Sequence, residues 1–277
     1  TLKSSFDTNY IMGLYAEAQM NAIGSLEPLT PDDQLKFDPV PWLWHGIIID
    51  KSANLVVAQP KTGKTTLMLA FVAALLNGEK SLLDGAIQPF EGKVVIVGTD
   101  QPESDWARML QDVGLLDEEH KMHPSLIRLH AAGCPLRLDA RGFETLEGYA
   151  REYPNLLILI DSFAACTSGL GIDENSTEAG GLVQQLVTRM ATYGVTLLII
   201  HHSGKGMGSD SPTAKSRGSS SIPAAVSQII SLSRYSTGSK DDSTVDHRII
   251  LSTEGRAGQP TKMFIQRTES GWVRIGD

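Results

Sequence analysis

The run from Ala58 to Thr66 constrains this chain more than any other segment, because it reads A-Q-P-K-T-G-K-T-T. It fits the phosphate-binding pattern G-x-x-x-x-G-K-[ST], with alanine at the first glycine position. Such a loop points successive backbone N–H groups at a phosphate, and the helix after it adds a partial positive charge. An apolar strand over 54–58 and an apolar helix over 67–76 are predicted on its two sides. This context favours a nucleotide-binding loop over a structural Gly-Lys-Thr turn.

The loop residues have separate predicted roles. Lys64 is expected to reach the β- and γ-phosphates of a nucleoside triphosphate, and the Thr65 hydroxyl is expected to bind Mg²⁺. The residues predicted to bind the nucleotide are Gln59, Pro60, Lys61, Thr62, Gly63, Lys64, Thr65 and Thr66.

Composition narrows the class of protein. The 277 residues suit one large α/β domain with an extension, or at most two domains. No apolar run approaches the length of a membrane span, and residues 2–7 do not resemble a signal peptide. Cys134 and Cys166 lie far apart without a C-x-x-C pattern, which fits a reducing cytosol better than a disulfide scaffold or a zinc site. We therefore predict a cytoplasmic protein without a membrane partner.

The net charge of −8 limits how nucleic acid could be bound. A broad basic face is excluded by this balance, so any such contact would be confined to a local channel or loop.

Residues 1–39 differ in character from the rest of the chain. A helix with one apolar face is predicted over 6–22, and the polar, proline-bearing stretch 25–39 is predicted to be a linker. The apolar face is expected to be buried either on the helix's own domain or on a neighbouring subunit. We therefore divide the chain into an N-terminal helix with its linker, 1–39, and one domain over 40–277.

Within 40–277, strands and helices alternate. Apolar strands are predicted over 93–97, 126–130, 156–160 and 195–200, with helices between them. This order indicates an α/β fold with a mostly parallel sheet flanked by helices. After Ser221 four short strands follow without long helices, which predicts antiparallel hairpins at one edge of the sheet.

Two acidic residues follow buried strands. Asp161 ends the apolar run 156–161, where a carboxylate can hold Mg²⁺ beside the phosphate loop, although many buried strands end in Asp for turn reasons. Asp100 comes just after the strand 93–97 and could orient the water that attacks the γ-phosphate. The alternative role for Asp100 is a helix N-cap ahead of Pro102.

The next strand ends in His201 and His202. Adjacent strand residues face opposite ways and no third ligand is evident, so metal binding by this pair is disfavoured. One of them, with His202 preferred, could instead donate to the γ-phosphate and report its presence. A histidine that only caps the strand is the open alternative.

Together these segments resemble the RecA-like P-loop ATPase superfamily. Within it they are most similar to the RepA-like hexameric ATPases, to which the DnaB-type helicases are related. The resemblance covers 40–277 and depends mainly on the segments 59–66, 156–161 with 173–175, 201–205 and 217–222. It implies ATP and Mg²⁺ as cofactors and a homo-oligomeric ring, most simply a hexamer, with ATP between subunits. Family members usually carry glycine at Ala58 and glutamate at Asp100, and these departures bear on the hydrolysis rate more than on ATP binding.

The resemblance also implies a basic residue that reaches the γ-phosphate of the neighbouring subunit. By position this residue is Arg256, although a DnaB-type pattern would carry a second basic residue at Glu254. An arginine finger of this kind stabilises charge in the transition state. The alternative is an arginine in an ordinary hairpin turn.

Two loops after core strands were compared for DNA binding. The stretch 203–221 is rich in Ser and Gly and carries Lys205, Lys215 and Arg217, so it could follow a single-stranded phosphate backbone. The companion stretch 162–180 carries Asp173, Glu174 and Glu178 without Lys or Arg, which is unfavourable for DNA. Both could also be plain solvated turns.

These observations predict a ring-forming ATPase that moves along single-stranded DNA, as a replicative-type helicase of a mobile element does. Two alternatives stay open. One is an ATP-gated regulatory or loader ring that recruits another protein. The other is a structural ring that does not hydrolyse ATP, which the departures at Ala58 and Asp100 would favour.

Overall fold

A computed structural model describes residues 30–32, 34, 38–98, 101–129, 136–173, 176–202, 221–235 and 247–277. The chain divides after Pro39, and the unit Val40–Asp277 holds the secondary structure described below. The helix predicted over 6–22 lies outside the described residues. No helix in the described ranges is both long and apolar enough to cross a membrane.

Strands and helices follow one another through the core domain. In chain order they are β1 (Trp42–Trp44), β2 (Ile48–Ile49), β3 (Ala53–Ala58), α1 (Lys64–Leu76), β4 (Ser81–Leu82), β5 (Gly85–Ala86), β6 (Lys93–Gly98), α2 (Glu103–Asp112), β7 (Leu126–Leu129), α3 (Ala140–Glu152), β8 (Leu156–Asp161), α4 (Phe163–Thr167), α5 (Thr177–Ala191), β9 (Thr196–His202), α6 (Ser221–Ala224), β10 (Gln228–Arg234), β11 (Ile249–Gly255), β12 (Lys262–Thr268) and β13 (Gly271–Gly276).

One sheet of nine strands organises the domain, in the order β13-β12-β11-β10-β3-β9-β8-β6-β7. The strands from β10 to β7 run parallel, and β11, β12 and β13 continue the sheet antiparallel at one edge. The predicted α/β fold is confirmed, with its mostly parallel sheet, flanking helices and C-terminal antiparallel strands. It is the fold of P-loop nucleotide hydrolases.

One strand of this sheet has two kinds of partner. The strand predicted over 226–232 was grouped with the antiparallel hairpins, and β10 does pair antiparallel with β11, but it also pairs parallel with β3, Leu232 lying beside Ala58. Parallel strands need a connection of a dozen or more residues, and 25 residues separate the end of β9 at His202 from the start of β10 at Gln228. A pattern of short strands without a long helix does not reveal such a connection.

Helices cover both faces of the sheet, and alternate strand residues point to opposite faces. In β3, Val56 packs with the α1 side, while Leu55 and Val57 pack with the side of α3 and α5. Trp44 stacks on Phe71 of α1 with ring centroids 5.3 Å apart. The central strands are therefore packed between helices on both sides.

A buried asparagine joins the start of β3 to its surroundings. Asn54 is fully buried, and its Oδ1 accepts from the Ile49 backbone N–H at 2.8 Å. Its Nδ2 donates to the carbonyls of Ile49, Ser52 and Leu197 at 2.9, 3.2 and 3.2 Å. One amide thus ties β2 and β9 to the strand that carries the phosphate loop.

We expect Asn54→Ala to lower the free energy of unfolding by about 2–4 kcal/mol, because it leaves buried backbone groups without partners. Denaturant unfolding followed by circular dichroism measures this change. The control is Gln184→Ala, which removes an exposed hydrogen bond to Thr188 and should change stability by less than about 0.5 kcal/mol. Equal effects of the two substitutions would contradict the role assigned to Asn54.

Candidate nucleotide site

The predicted phosphate loop connects β3 to α1 at the carboxyl end of the parallel strands. Gly63 has φ +97°, in the left-handed region that favours glycine, and α1 begins directly after it. The hydroxyls of Thr62 and Thr66 donate to the carbonyls of Gln59 and Gly63 at 2.9 and 3.1 Å. The loop is therefore closed by its own side chains around the start of the helix.

The alanine at the first position of the motif fits this geometry. Ala58 continues strand β3 and pairs with Leu232 on one side and His202 on the other. A residue in an extended strand does not need the conformational freedom of glycine. The departure from the family pattern at Ala58 therefore does not distort the loop.

Lys64 is buried at the first position of α1 and curls back over the loop. Its Nζ donates to the carbonyls of Ala58 and Gln59 at 2.9 and 3.1 Å, and it lies 3.1 Å from Nδ1 of His202. The loop lysine and the histidine predicted to sense the γ-phosphate are thus in contact. The ammonium group is therefore largely shielded from water by the loop and His202.

The two residues predicted to bind Mg²⁺, Thr65 and Asp161, lie side by side. The Thr65 hydroxyl donates to Oδ2 of Asp161 at 2.6 Å, and Asp161 is only 3% exposed. The described residues contain no group of three or more His, Cys, Asp and Glu side chains that could enclose a metal ion. A hydroxyl with one carboxylate suits Mg²⁺, which keeps several positions for water and phosphate oxygens. The donor set therefore fits the predicted magnesium site.

The two histidines at the end of β9 face opposite sides of the sheet, as expected. His202 contacts Lys64, whereas His201 is 1% exposed and meets the edge of the Phe163 ring at 6.1 Å between centroids. Burial, and after it the positive charges of His202 and Lys64, together lower the pKa of His201 to about 4. His201 is therefore neutral at physiological pH.

This pKa predicts how stability depends on pH. Between about pH 6.5 and 4 the unfolded chain protonates His201 and the folded chain does not, so the folded state loses stability as the pH falls. The full loss is about 3 kcal/mol, at about 1.4 kcal/mol per pH unit. Unfolding midpoints from pH 7 to pH 4 should fall less steeply for His201→Gln than for the wild type. Parallel profiles would contradict this role.

Arg256 lies at the other end of the sheet from the phosphate loop of its own chain. Gly255 pairs with Gln228 at the start of β10, while the loop follows Ala58 beside Leu232 near the end of β10. Arg256 is exposed. Its backbone N–H donates to the Ser227 carbonyl, and its guanidinium donates to the Ala224 carbonyl. The structure does not bring Arg256 to the Lys64 site within one chain, so its role stays a prediction about a second copy.

Four of the predicted site residues lie outside the described part of the chain. Asp100 is two positions beyond Gly98, the last residue of β6, which pairs with Asp161. The predicted DNA-contacting residues Lys205, Lys215 and Arg217 fall between β9 and α6.

Sequence reasoning missed a cavity beside the loop. This space, the loop–hairpin cavity, measures about 550 Å³ and lies between the phosphate loop and the strands β10 to β13. No local motif joins its lining residues, because they come from separate strands. Those among the described residues are Lys61, Thr62, Gly63, Thr66, Arg234, His247, Arg248, Ile249, Arg267 and Trp272.

Comparison with models of protein families gives a match. The family model AAA_25, described as an AAA domain, matches residues 25–208, which is more than half of the chain. The matched region contains the phosphate loop, Asp161 and His202. Among curated proteins, none matches the chain significantly.

Proposed function

Since this chain belongs to the AAA_25 family of AAA domains, a P-loop ATPase family related to the RecA- and DnaB-like helicases, we propose that it is a ring-forming ATPase that moves along single-stranded DNA. The observation that carries the ATPase part is the convergence of four side chains at the ends of three neighbouring strands. They are Lys64, Thr65, Asp161 and His202.

Hydrolysis forms a bond between a water oxygen and the γ-phosphorus and breaks the bond from that phosphorus to the bridging oxygen, giving ADP and phosphate. In this proposal Lys64 exchanges its contacts with the Ala58 and Gln59 carbonyls for contacts with phosphate oxygens. The His202 side chain moves with Lys64, because the two are already in contact. Bound Mg²⁺ would neutralise phosphate charge, with Thr65 and Asp161 as its protein ligands. Asp100 orients the attacking water in this proposal.

Ring formation is supported by the position of Arg256. Parallel strand residues rise about 3.3 Å each, so the four-residue offset along β10 places Arg256 more than about 12 Å from the phosphate loop along the sheet. An exposed arginine that cannot serve its own site can serve the site of a neighbour. This requires a head-to-tail arrangement of copies, which forms a ring when the rotation between copies closes, and we propose a closed hexamer.

The DNA part of the proposal depends on composition. The segment that leaves the site after His202 contains Lys205, Lys215 and Arg217, with Asp210 as its acid. A cationic segment directly after a residue that contacts the loop lysine could transmit the state of the nucleotide to DNA. Because His202 contacts Lys64, hydrolysis and DNA binding would be linked through a single strand end.

A regulatory or loader ring that recruits a protein partner remains the second candidate. The net charge of −8 and the acids Asp173, Glu174 and Glu178 favour it, since they repel DNA phosphates. In that case ATP binding would still require Lys64, but hydrolysis would not respond to DNA.

Strand separation tests the DNA proposal directly. A forked DNA duplex is incubated with the protein and Mg·ATP, with Lys64→Ala as the inactive control, while native mass spectrometry counts copies per particle. ATP-dependent unwinding by a closed ring supports the motor. A ring that hydrolyses ATP at one rate with and without single-stranded DNA, and unwinds nothing, would favour the regulatory ring instead.

A further inference from the structure

The phosphate loop contains two residues with a left-handed backbone. Lys61 has φ +62° and Gly63 has φ +97°. Glycine adopts this conformation freely, but a lysine in it costs free energy that its surroundings have to offset. The hydroxyls of Thr62 and Thr66 donate to the carbonyls of Gln59 and Gly63, which leaves the Lys61 carbonyl to a donor from another part of the chain. The shape of the loop therefore depends on contacts from outside the motif.

Arg234, at the end of β10, supports the first of these two residues. Its guanidinium donates to the Lys61 carbonyl at 3.0 Å. A hydrogen bond from a charged donor is stronger than one between neutral groups, and this one holds the peptide unit that follows Lys61. Because β10 pairs parallel with β3, with Leu232 beside Ala58, the arginine enters this region next to the strand that leads into the loop.

Trp272, on β13, supports the second residue. A Cβ atom placed on Gly63 would lie 2.9 Å from the Cζ2 and Cη2 carbons of the indole, so the ring packs directly on the loop backbone where α1 begins. Trp272 is 9% exposed and belongs to the same hydrophobic core as Leu67 and Met68 of α1. The core therefore holds the ring in place, and the ring limits how far Gly63 can move towards the C-terminal strands.

Both supporting residues lie beyond the region that the family model matches. That match ends at residue 208, whereas Arg234 and Trp272 belong to strands that follow it. The motif supplies the groups that would bind phosphate, and the later strands supply the contacts that shape the motif. A site that already has its bound shape before the ligand arrives avoids the free-energy cost of ordering on binding, and its affinity is higher for that reason.

We propose that Arg234 and Trp272 are positioning residues that hold the phosphate loop in the shape that binds a triphosphate. The inference rests on the proposed triphosphate site at Lys64. Since the two residues act on the loop and not on the base, they contribute equally to the binding of ATP and of inorganic tripolyphosphate. They support the ground state and the transition state alike, so their loss raises KM and leaves kcat unchanged.

Calorimetric titration with ATP and with inorganic tripolyphosphate, each with Mg²⁺, tests the role of Trp272. The variant is Trp272→Phe, which keeps an aromatic ring in the core and removes the outer part of the indole that packs on Gly63. Trp44→Phe is the matched control, because Trp44 is a buried indole of the same core that stacks on Phe71 and not on the loop. Circular dichroism checks that both variants are folded.

We expect Trp272→Phe to weaken the binding of both ligands by the same factor, about five- to tenfold, and Trp44→Phe to stay within about twofold of the wild type. In steady-state hydrolysis, Trp272→Phe should raise KM for ATP by a similar factor and change kcat by less than about twofold. A substitution that only reduced the amount of folded enzyme would instead lower kcat and leave KM unchanged.

A double-mutant cycle tests the role of Arg234. Arg234→Ala should weaken tripolyphosphate binding by about fivefold, because the left-handed backbone of Lys61 loses its supporting hydrogen bond. In the Lys61→Gly background the same substitution should weaken binding by less than about twofold, because glycine adopts that conformation without support. Loss of the Lys61 side chain affects both members of that pair equally, so the difference between backgrounds reports on the backbone.

The role of Trp272 is overturned by either of two results. One is a loss of ATP binding in Trp272→Phe without a loss of tripolyphosphate binding, which would mean that the indole contacts the base. The other is an equal effect of Trp272→Phe and Trp44→Phe on binding. The role of Arg234 is overturned if Arg234→Ala weakens binding equally in both backgrounds, because the arginine would then act through its charge. If the wild type binds neither ligand, or if Lys64→Ala binds both normally, the proposed triphosphate site fails, and this inference fails with it.

Discussion

Replacing Arg256 by alanine is expected to lower kcat for ATP hydrolysis by about 10³–10⁵-fold while ATP binding changes little. The guanidinium would stabilise charge that develops on the γ-phosphate only in the transition state, so its loss affects kcat more than ground-state binding. Phosphate release at saturating ATP measures the first quantity, and equilibrium titration of ATP measures the second.

The control for this substitution is Arg151→Ala, which removes an exposed arginine paired with Glu147 on α3. It should hydrolyse ATP at the wild-type rate. If Arg256→Ala did the same, the residue would be an ordinary turn arginine, and the ring proposal would lose its main structural support.

Mixing two inactive variants separates a role across subunits from a role within one. In a mixture of Lys64→Ala and Arg256→Ala subunits, a site with intact Lys64 can face a neighbour with intact Arg256. In a randomly mixed ring this holds for about a quarter of the sites, so activity should return to about that fraction. No recovery in particles shown to contain both subunits would mean that Arg256 does not act across an interface.

Replacing Lys64 by alanine is expected to lower kcat/KM for ATP by about 10²–10³-fold, the usual cost of removing one charge-stabilising donor. The ammonium is buried among the Ala58 and Gln59 carbonyls and His202, so no water-exposed cation can replace it. Phosphate release over a range of ATP concentrations gives the ratio.

Lys80→Ala is the matched control, because Lys80 is an exposed lysine that follows α1 and is not among the residues predicted to bind the nucleotide. Its carbonyl, which accepts from the Ile87 backbone N–H, is retained in the variant. We expect a change in kcat/KM of less than about tenfold. Equal losses from both substitutions would point to a general loss of positive charge and not to a specific role of Lys64.

The parts of the fold and site that could be predicted are those that depend on residues close together in the sequence and on the order of strands and helices. A glycine–lysine–threonine loop between an apolar strand and an apolar helix specifies β3 and α1. The carboxyl ends of parallel strands meet at one edge of the sheet, so Asp161 and His202 were expected near the loop, and both lie there. Their chemical roles stay predictions.

The parts that could not be predicted depend on pairing between distant segments. The parallel register of β10 with β3 joins segments that lie far apart in the sequence, and neither strand carries a local signal of its partner. The loop–hairpin cavity unites Arg234, Arg267 and Trp272 from three different strands, and only the pairing of β10 to β13 brings them to Gly63. An isolated arginine or tryptophan in the sequence does not indicate which distant strands will lie beside it in the fold.

The most direct measurement is the rate of phosphate release by the wild-type protein at saturating Mg·ATP, with and without single-stranded DNA. The account predicts hydrolysis that single-stranded DNA accelerates severalfold and that Lys64→Ala removes. Acceleration of this kind would support the motor and the link through His202. Tight ATP binding without detectable phosphate release, with or without DNA, would contradict the account. The protein would then be a ring that binds ATP without hydrolysing it.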